Sequence, residues 1–155
     1  MNLDEKVNLL YEKDSSETYQ NLLELECLSE SENVLYDYFD TFLEMMRSGK
    51  YIIRVRGYRL LCKQAKWDID NRIDESIADI LLNLEDERPT AVRQKIAAIQ
   101  DVIKHKKELN EKIRTRLLEI EDLKFKDTMQ PLIQKDIHKA IDLIDRNVYE
   151  GVCEQ

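Results

Sequence analysis

The chain has 155 residues, a length that suits one domain with a real core. With 3 Gly and 2 Pro, far below average usage, it lacks the turn residues from which β-sandwiches, barrels and Gly-rich phosphate loops are built. A formal charge of −8 with 36% charged and 43% apolar residues fits amphipathic helices and disfavours general binding to nucleic-acid phosphates, and no apolar run approaches the roughly 20 residues of a membrane span.

Eight segments show helical periodicity. A leading helix over 3–12 uses Leu3, Val7 and Leu10, and a second, from about 16 to 28, uses Tyr19, Leu22, Leu23 and Cys27. In the third, Leu35, Phe39, Phe42 and Met46 stand at i, i+4, i+7 and i+11, on one stripe. Ser29-x-x-Glu32 reads as its capping box and Ser48-Gly49 as its stop. The fourth, over 51–66, uses Ile53, Tyr58, Leu61 and Ala65; Gly57 inside it costs about 1 kcal/mol relative to Ala, which points to close helix packing. The fifth uses Ile73, Ile77, Ile80 and Leu84. Pro89 and Thr90 open the sixth, with Val92, Ile96, Ile99 and Ile103, and the seventh has Leu109, Ile113, Leu117 and Ile120. A closing helix over 128–149 holds Pro131 in its first turn, then Ile133, Ile137, Ala140, Ile144 and Val148, with Gly151 after its end.

The stripes repeat. A shift of 38 carries Leu35, Phe39, Phe42, Leu43 and Met46 onto Ile73, Ile77, Ile80, Leu81 and Leu84, and a further 36 carries Ile73, Ile77, Leu81 and Leu84 onto Leu109, Ile113, Leu117 and Ile120. The partner helices follow: Leu23 and Cys27 move by 38 to Leu61 and Ala65, then by 38 to Ile99 and Ile103. One shift serving both helices of a pair predicts an all-α, short right-handed α-solenoid. It has about three helix pairs (15–47, 51–84 and 90–121) between the leading and closing helices.

Val55-Arg56 and Val92-Arg93, each early in the leading helix of a pair, resemble the Val-Arg signature of HEAT repeats. Longer stretches resemble a family of small HEAT-like proteins often labelled SufBD protein. They are residues 33–40 (Asn33 to Asp40), 51–57 (Tyr51 to Gly57), Ala65-Lys66-Trp67-Asp68 with Asp70-Asn71, Ala91-Val92-Arg93-Gln94, and 127–132 (Asp127 to Leu132). The resemblance implies a HEAT-like solenoid without an assigned reaction. The label implies iron–sulfur cluster assembly, whose proteins of that name are β-helical, an architecture that this composition excludes.

Charge is uneven. Residues 1–50 carry 12 acids and 4 bases, whereas the rest carries 20 of each. Between Glu44 and Asp68 stand seven bases and no acid, and Arg56, Arg59, Lys63 and Lys66 form one stripe on the fourth helix. Either the stripe meets an acidic partner, or Arg56 and Arg93 pair with acids of the adjacent repeat, for which Asp37, Asp40, Asp74 and Asp79 are candidates. In the turn after it, Trp67 beside Asp68, Asp70, Asn71 and Asp74 reads as a ligand or peptide anchor, or as a capped and stapled turn. A calcium loop fails there because its sixth and twelfth positions hold Ile73 and Asp79.

Cys27, Cys62 and Cys153 have no metal or redox spacing, and the first two read as small core residues. The start lacks the basic and apolar regions of a signal peptide, so a reduced, cytoplasmic protein is expected. His105 and His138 support no catalytic or metal motif. Tyr36, Tyr38, Phe39 and Phe42 with Met45 and Met46 read as an aromatic core stripe rather than a groove.

The functional expectation is a non-enzymatic protein or peptide interaction module. Arg54, Arg56, Arg59, Lys63, Lys66, Trp67, Asp70, Asn71 and Arg93 are its candidate binding residues, with no cofactor, metal or membrane. A second reading follows from the resemblance of some HEAT-like solenoids to DNA glycosylases for alkylated bases: duplex DNA against the fourth-helix bases, with Trp67 and Asp70 at the lesion. The third is self-association of the acidic first 50 residues with the basic stripe of another copy.

Overall fold

The structure is a computed structural model that describes residues 1–153, with side chains described through Asn147. Among these residues there is no strand and there are nine α-helices: α1 Leu3–Asn8, α2 Ser16–Ser31, α3 Phe39–Met45, α4 Tyr51–Lys63, α5 Arg72–Glu75, α6 Ile77–Leu82, α7 Pro89–His105, α8 Asn110–Glu121 and α9 Gln130–Cys153. Single 3₁₀ turns at Leu9–Tyr11, Tyr36–Tyr38, Gln64–Trp67 and Lys107–Leu109 tighten the helix ends. No helix is long and apolar enough to cross a membrane among the described residues.

Periodicity decides the burial of the later helices. Ile53, Tyr58, Leu61 and Ala65 of the α4 segment are buried, as are Val92, Ile96, Ile99 and Ile103 of α7, Leu109 of the turn before α8, and Ile113, Leu117 and Ile120 of α8. Each such side chain taken out of water contributes about 1.5–3 kcal/mol. They join Val7, Leu10, the α3 residues Phe39, Phe42 and Met45, and Ile133, Ile137, Ala140 and Ile144 of α9 in one apolar cluster. Through it α2, α4, α7 and α9 lie in a row, each against the next, with α3 packed on α4 and α8 on α9.

Contacts across that row recur at fixed sequence separation. Arg56 donates to Thr18 Oγ1, Trp67 to the Ser29 carbonyl and Lys106 to the Asp68 carbonyl, each 38 residues back. Arg54 with Asp86, Arg72 with Asp40, Arg47 with Asp79 and Tyr36 with Asp68 are each 32 apart. The Ser15–Thr18 capping box opens α2 and Pro89 opens α7. Asp68 caps α5, accepting from Arg72 N and Ile73 N at 2.9 Å, and Asn71, at φ 58°, makes the left-handed turn before it. Gly57 is where α3 meets α4: a Cβ there would stand 2.5 Å from Met45 Cβ and 2.8 Å from the Phe42 carbonyl oxygen. The close packing that this mid-helix glycine suggested is present.

Several expectations are corrected. The buried face of α2 is Thr18, Asn21, Leu22, Leu25 and Ser29, whereas Tyr19 is 53% exposed and Cys27 is also exposed. Three of these five residues are polar and bond to neighbouring elements, as Asn21 Nδ2 does to the Lys6 carbonyl and Gln64 Nε2 to Ser29 Oγ, while Asn21 Oδ1 is left without a partner; an apolar stripe could not locate such a face. The repeat of Leu23 and Cys27 onto Leu61 and Ala65 fails with it. Ser29 is inside α2, bonded back to the Leu25 carbonyl, and caps nothing; α3 begins only at Phe39. The fifth segment is two helices, broken at Ser76. The final helix continues through Gly151 to Cys153, and the side chains of Val148 and Cys153 lie outside the described ones.

Candidate functional site

The basic stripe is bound up within the molecule. Arg54 meets Asp86 with Nε at 3.0 Å and Nη2 at 3.1 Å, and its Nη1 donates to the Ser48 carbonyl. Arg56, 2% exposed, donates to the carbonyls of Leu10 and Glu12 and to Thr18 Oγ1. Arg59 grips Glu26 at 2.6 and 3.1 Å and reaches Gln94 at 3.0 Å. Lys63 lies between Glu30 at 2.6 Å and Asp101 at 3.4 Å, and Lys66 donates to the Glu30 carbonyl. Farther along, Arg93 pairs with Asp136 at 2.7 Å.

The Trp67 turn is a clasp. Trp67 Nε1 donates to the Ser29 carbonyl at 2.7 Å, and Asn71 Oδ1 accepts from Lys106 Nζ at 2.8 Å. The same ammonium lies 3.2 Å from Asp68 and 2.8 Å from Asp74. Burial pushes the Asp68 carboxyl up, but hydrogen bonds from Tyr36, Ile73, Arg72 and Lys106 outweigh it and hold its pKa below the ordinary value. Asp70 is exposed, as is Asn71. Tyr36 and Tyr38 extend the aromatic stripe, their hydroxyls donating to Asp68 and Asp4, while Phe39, Phe42, Met45 and Met46 are core.

Three of the nine candidate residues line one surface feature. A hollow of about 290 Å³ between α2, α4 and α7 is walled by the Arg59–Glu26 and Lys63–Asp101 pairs over Ala97 and Ala98. A second, of about 390 Å³ between α7 and α9, is walled by Arg93 and Asp136. Gln94 and Ala97 line both, so the two meet along the exposed face of α7. Short alanine side chains make the floor, and opposite charges held by geometry make the walls. Burial pushes the Asp101 carboxyl up despite Lys63 beside it. Gln94, Ala97, Asp101, Glu26 and Asp136 were not singled out from the sequence. The usable signal was opposite charge at 32–33 residues, as in Glu26 with Arg59 and Glu30 with Lys63.

A larger cavity, about 480 Å³, lies over Arg54, Asp86 and Lys95. Arg54, Asp86 and Lys95 in it are paired with one another, and Glu85, Glu87 and Lys124 also line it. Lys95 Nζ donates to the Asn83 carbonyl at 2.8 Å and to Asp86 at 2.9 Å, with the Tyr58 ring 5.6 Å away. Burial holds this ammonium below the ordinary lysine value. The cluster fastens the segment between α6 and α7 to α4.

Burial also pushes Asp86 up, but bonds from Arg54, Arg88 N and Lys95 bring its pKa to about 2. A depressed carboxyl stabilises the fold above its unfolded value near 3.8, and the contribution is lost as the pH falls toward about 2. Asp86→Asn is expected to lose about 2 kcal/mol at neutral pH and to flatten the acid limb of stability between these values. Urea unfolding at a series of pH values measures this; an unchanged acid limb would assign it to other groups.

Cys62 is fully buried, and burial raises its thiol pKa well above the ordinary value, which makes it a poor nucleophile. Among the described residues there is no cluster of His, Cys, Asp and Glu fit to hold a metal ion. Fold and surface together define an all-helical protein with a charge-walled groove. Compared with family models, with curated proteins and with solved structures, the chain matches none of them.

Proposed function

We propose that the chain is a HEAT-like helical-repeat scaffold, a short right-handed α-solenoid, that holds a segment of a partner protein in the groove along α7 and has no reaction of its own. The observation that carries this reading is the joining of the two hollows at Gln94 and Ala97. Together they offer an extended path of small floor residues between fixed charges, a form suited to a peptide rather than to a small substrate. Arg59, Lys63 and Arg93 are the binding residues retained from the candidate set. Arg56, Trp67 and Asn71 support the scaffold. Free Cys27 and Cys62 thiols fit a reduced, cytoplasmic setting.

The internal pairing of Arg54, Arg59 and Lys63 favours a protein partner over duplex DNA, because paired cations release few counterions on meeting phosphates.

A photoreactive benzophenone side chain placed at Ala97, which is exposed, tests the reading in cells. The expected result is a discrete crosslinked protein, absent when the same group stands at exposed Lys112 on α8 and absent when Ala98→Trp fills the groove in a chain that still folds. Equal crosslinking at positions 97 and 112, or none at 97, would remove the groove from the function.

A further inference from the structure

We infer that a hollow at the start of α4 is a binding site for a planar aromatic ring. It encloses about 440 Å³, within the roughly 300–1,000 Å³ of small-ligand pockets, and is lined by Tyr11, Tyr51, Ile52 and Arg88 beside Gly49. Two connections meet the first turn of α4 there, the segment that leads into α2 and the turn between α3 and α4. The hollow shares no lining residue with the groove along α7, and neither depends on the other.

Its walls suit a flat group. The Arg88 guanidinium carbon lies 4.1 Å from the centroid of the Tyr51 ring, so one planar group already stacks on an aromatic face there. Tyr11, 43% exposed, brings a second ring to the same opening. Rings gain from offset or edge-on contact with another ring beyond the area that they bury. Charge selects far less, because Lys13 and Lys50 on the rim stand with Glu12 and Asp14.

The frame is held from within the protein. Buried Arg56 donates to the Leu10 and Glu12 carbonyls on one side of the hollow. On the other, Arg54 Nη1 donates to the Ser48 carbonyl and Lys50 N to Ser48 Oγ. A ring entering a frame fixed in this way orders little of the chain around it.

Gly49 marks the open space. At Gly57 a Cβ would collide with α3, whereas a Cβ at Gly49 would meet nothing within 4 Å. The φ of Gly49 is not positive either, so the backbone does not ask for a glycine. Neither packing nor conformation accounts for this residue, and its effect is to leave the hollow open.

The test is a backbone-amide NMR titration of the full chain with 4-methylphenol, with 4-methylcyclohexanol as a probe of like size that is not flat. Saturable shifts at Tyr11 and at Gly49 to Ile52 are expected with the phenol, with a dissociation constant on the order of 1 mM. The cyclohexanol should bind about fivefold more weakly, and Tyr51→Leu should weaken the phenol by about the same factor. Gly49→Phe places a side chain in the hollow and should weaken binding more than about tenfold while the urea midpoint stays unchanged. Gly49→Leu repeats the measurement if circular dichroism shows the phenylalanine variant to be unfolded. Lys112→Ala, on α8 outside the hollow, should bind as the parent chain does. A short alanine peptide holding one tyrosine separates the sources of the ring. Tighter binding than the phenol assigns the ring to a partner's side chain, and equal or weaker binding assigns it to a free small molecule. The site is overturned by unsaturable shifts, by equal binding of the phenol and the cyclohexanol, by unchanged binding in a folded Gly49→Phe chain, or by equal loss in Lys112→Ala.

Discussion

Alanine at position 57 is expected to destabilise the fold by about 2–3 kcal/mol, the reverse of what helix propensity alone gives. In an open helix the same change gains about 1 kcal/mol. Here the new Cβ would lie 2.5 Å from Met45 Cβ, 2.8 Å from the Phe42 carbonyl oxygen and 3.0 Å from Met46 N. Carbon atoms in ordinary contact stand about 3.5–4.0 Å apart. None of the three opposing atoms is the far end of a flexible side chain, so relief requires α3 to move off α4 as a unit. That movement would loosen Phe39, Phe42 and Met45, all buried to within 1%. Urea unfolding followed through Trp67, the single tryptophan, measures the loss. A gain in stability would show that α3 shifts without cost and that Gly57 serves no packing purpose.

The same contact shows what a sequence can and cannot reveal. Gly57 was legible because a costly residue inside a strong helical stripe demands a reason. The faces of α4, α7 and α8 were legible because apolar residues fill them at helical spacing. The face of α2 was not, because Thr18, Asn21 and Ser29 are buried there, each with at least one bond to a neighbouring element. Hydrophobic periodicity does not register a buried polar residue, and it places Tyr19 and Cys27 inside instead.

The bases of α4 are legible as a cluster, but their partners lie on other elements, 32 or 33 residues away. Glu26, Glu30 and Asp86 complete the pairs with Arg59, Lys63 and Arg54. None of the four acids expected to pair with Arg56 and Arg93 does so: Arg56 has Asp14 and Arg93 has Asp136, whereas Asp40 pairs with Arg72, Asp79 with Arg47 and Asp74 with Lys106. The groove along α7 is the product of those pairings. Its floor residues are alanines, which carry no chemical signal in sequence.

Loss of the Arg56 side chain is expected to cost about 3–5 kcal/mol, whereas the same change at Arg93 should cost no more than about 1 kcal/mol. The two residues occupy corresponding places in the Val-Arg pairs but have unlike surroundings. Arg56 is 2% exposed and spends its donors on the Leu10 carbonyl at 2.9 Å, the Glu12 carbonyl at 2.6 Å and Thr18 Oγ1 at 3.0 Å. Asp14, 3.9 Å away, is its nearest carboxylate. Burial lowers the guanidinium pKa, yet the group stays charged, and backbone carbonyls of the 9–12 turn balance most of that charge. Arg56→Met keeps the aliphatic bulk and leaves the Leu10 and Glu12 carbonyls without this donor. Arg56→Lys keeps the charge but cannot reach three acceptors in the planar fork. Arg93 instead pairs with Asp136 at 2.7 Å, with 39% of its own side chain and 24% of the aspartate's exposed, so water replaces the lost partner. Urea unfolding of both variants should separate them by more than about 2 kcal/mol. Amide exchange should accelerate first over Leu3 to Thr18 in Arg56→Met, because that segment is tied to α4 through this side chain. Equal losses at the two positions would mean that Arg56 and Arg93 act by a common means rather than that Arg56 fastens the first turn to the row.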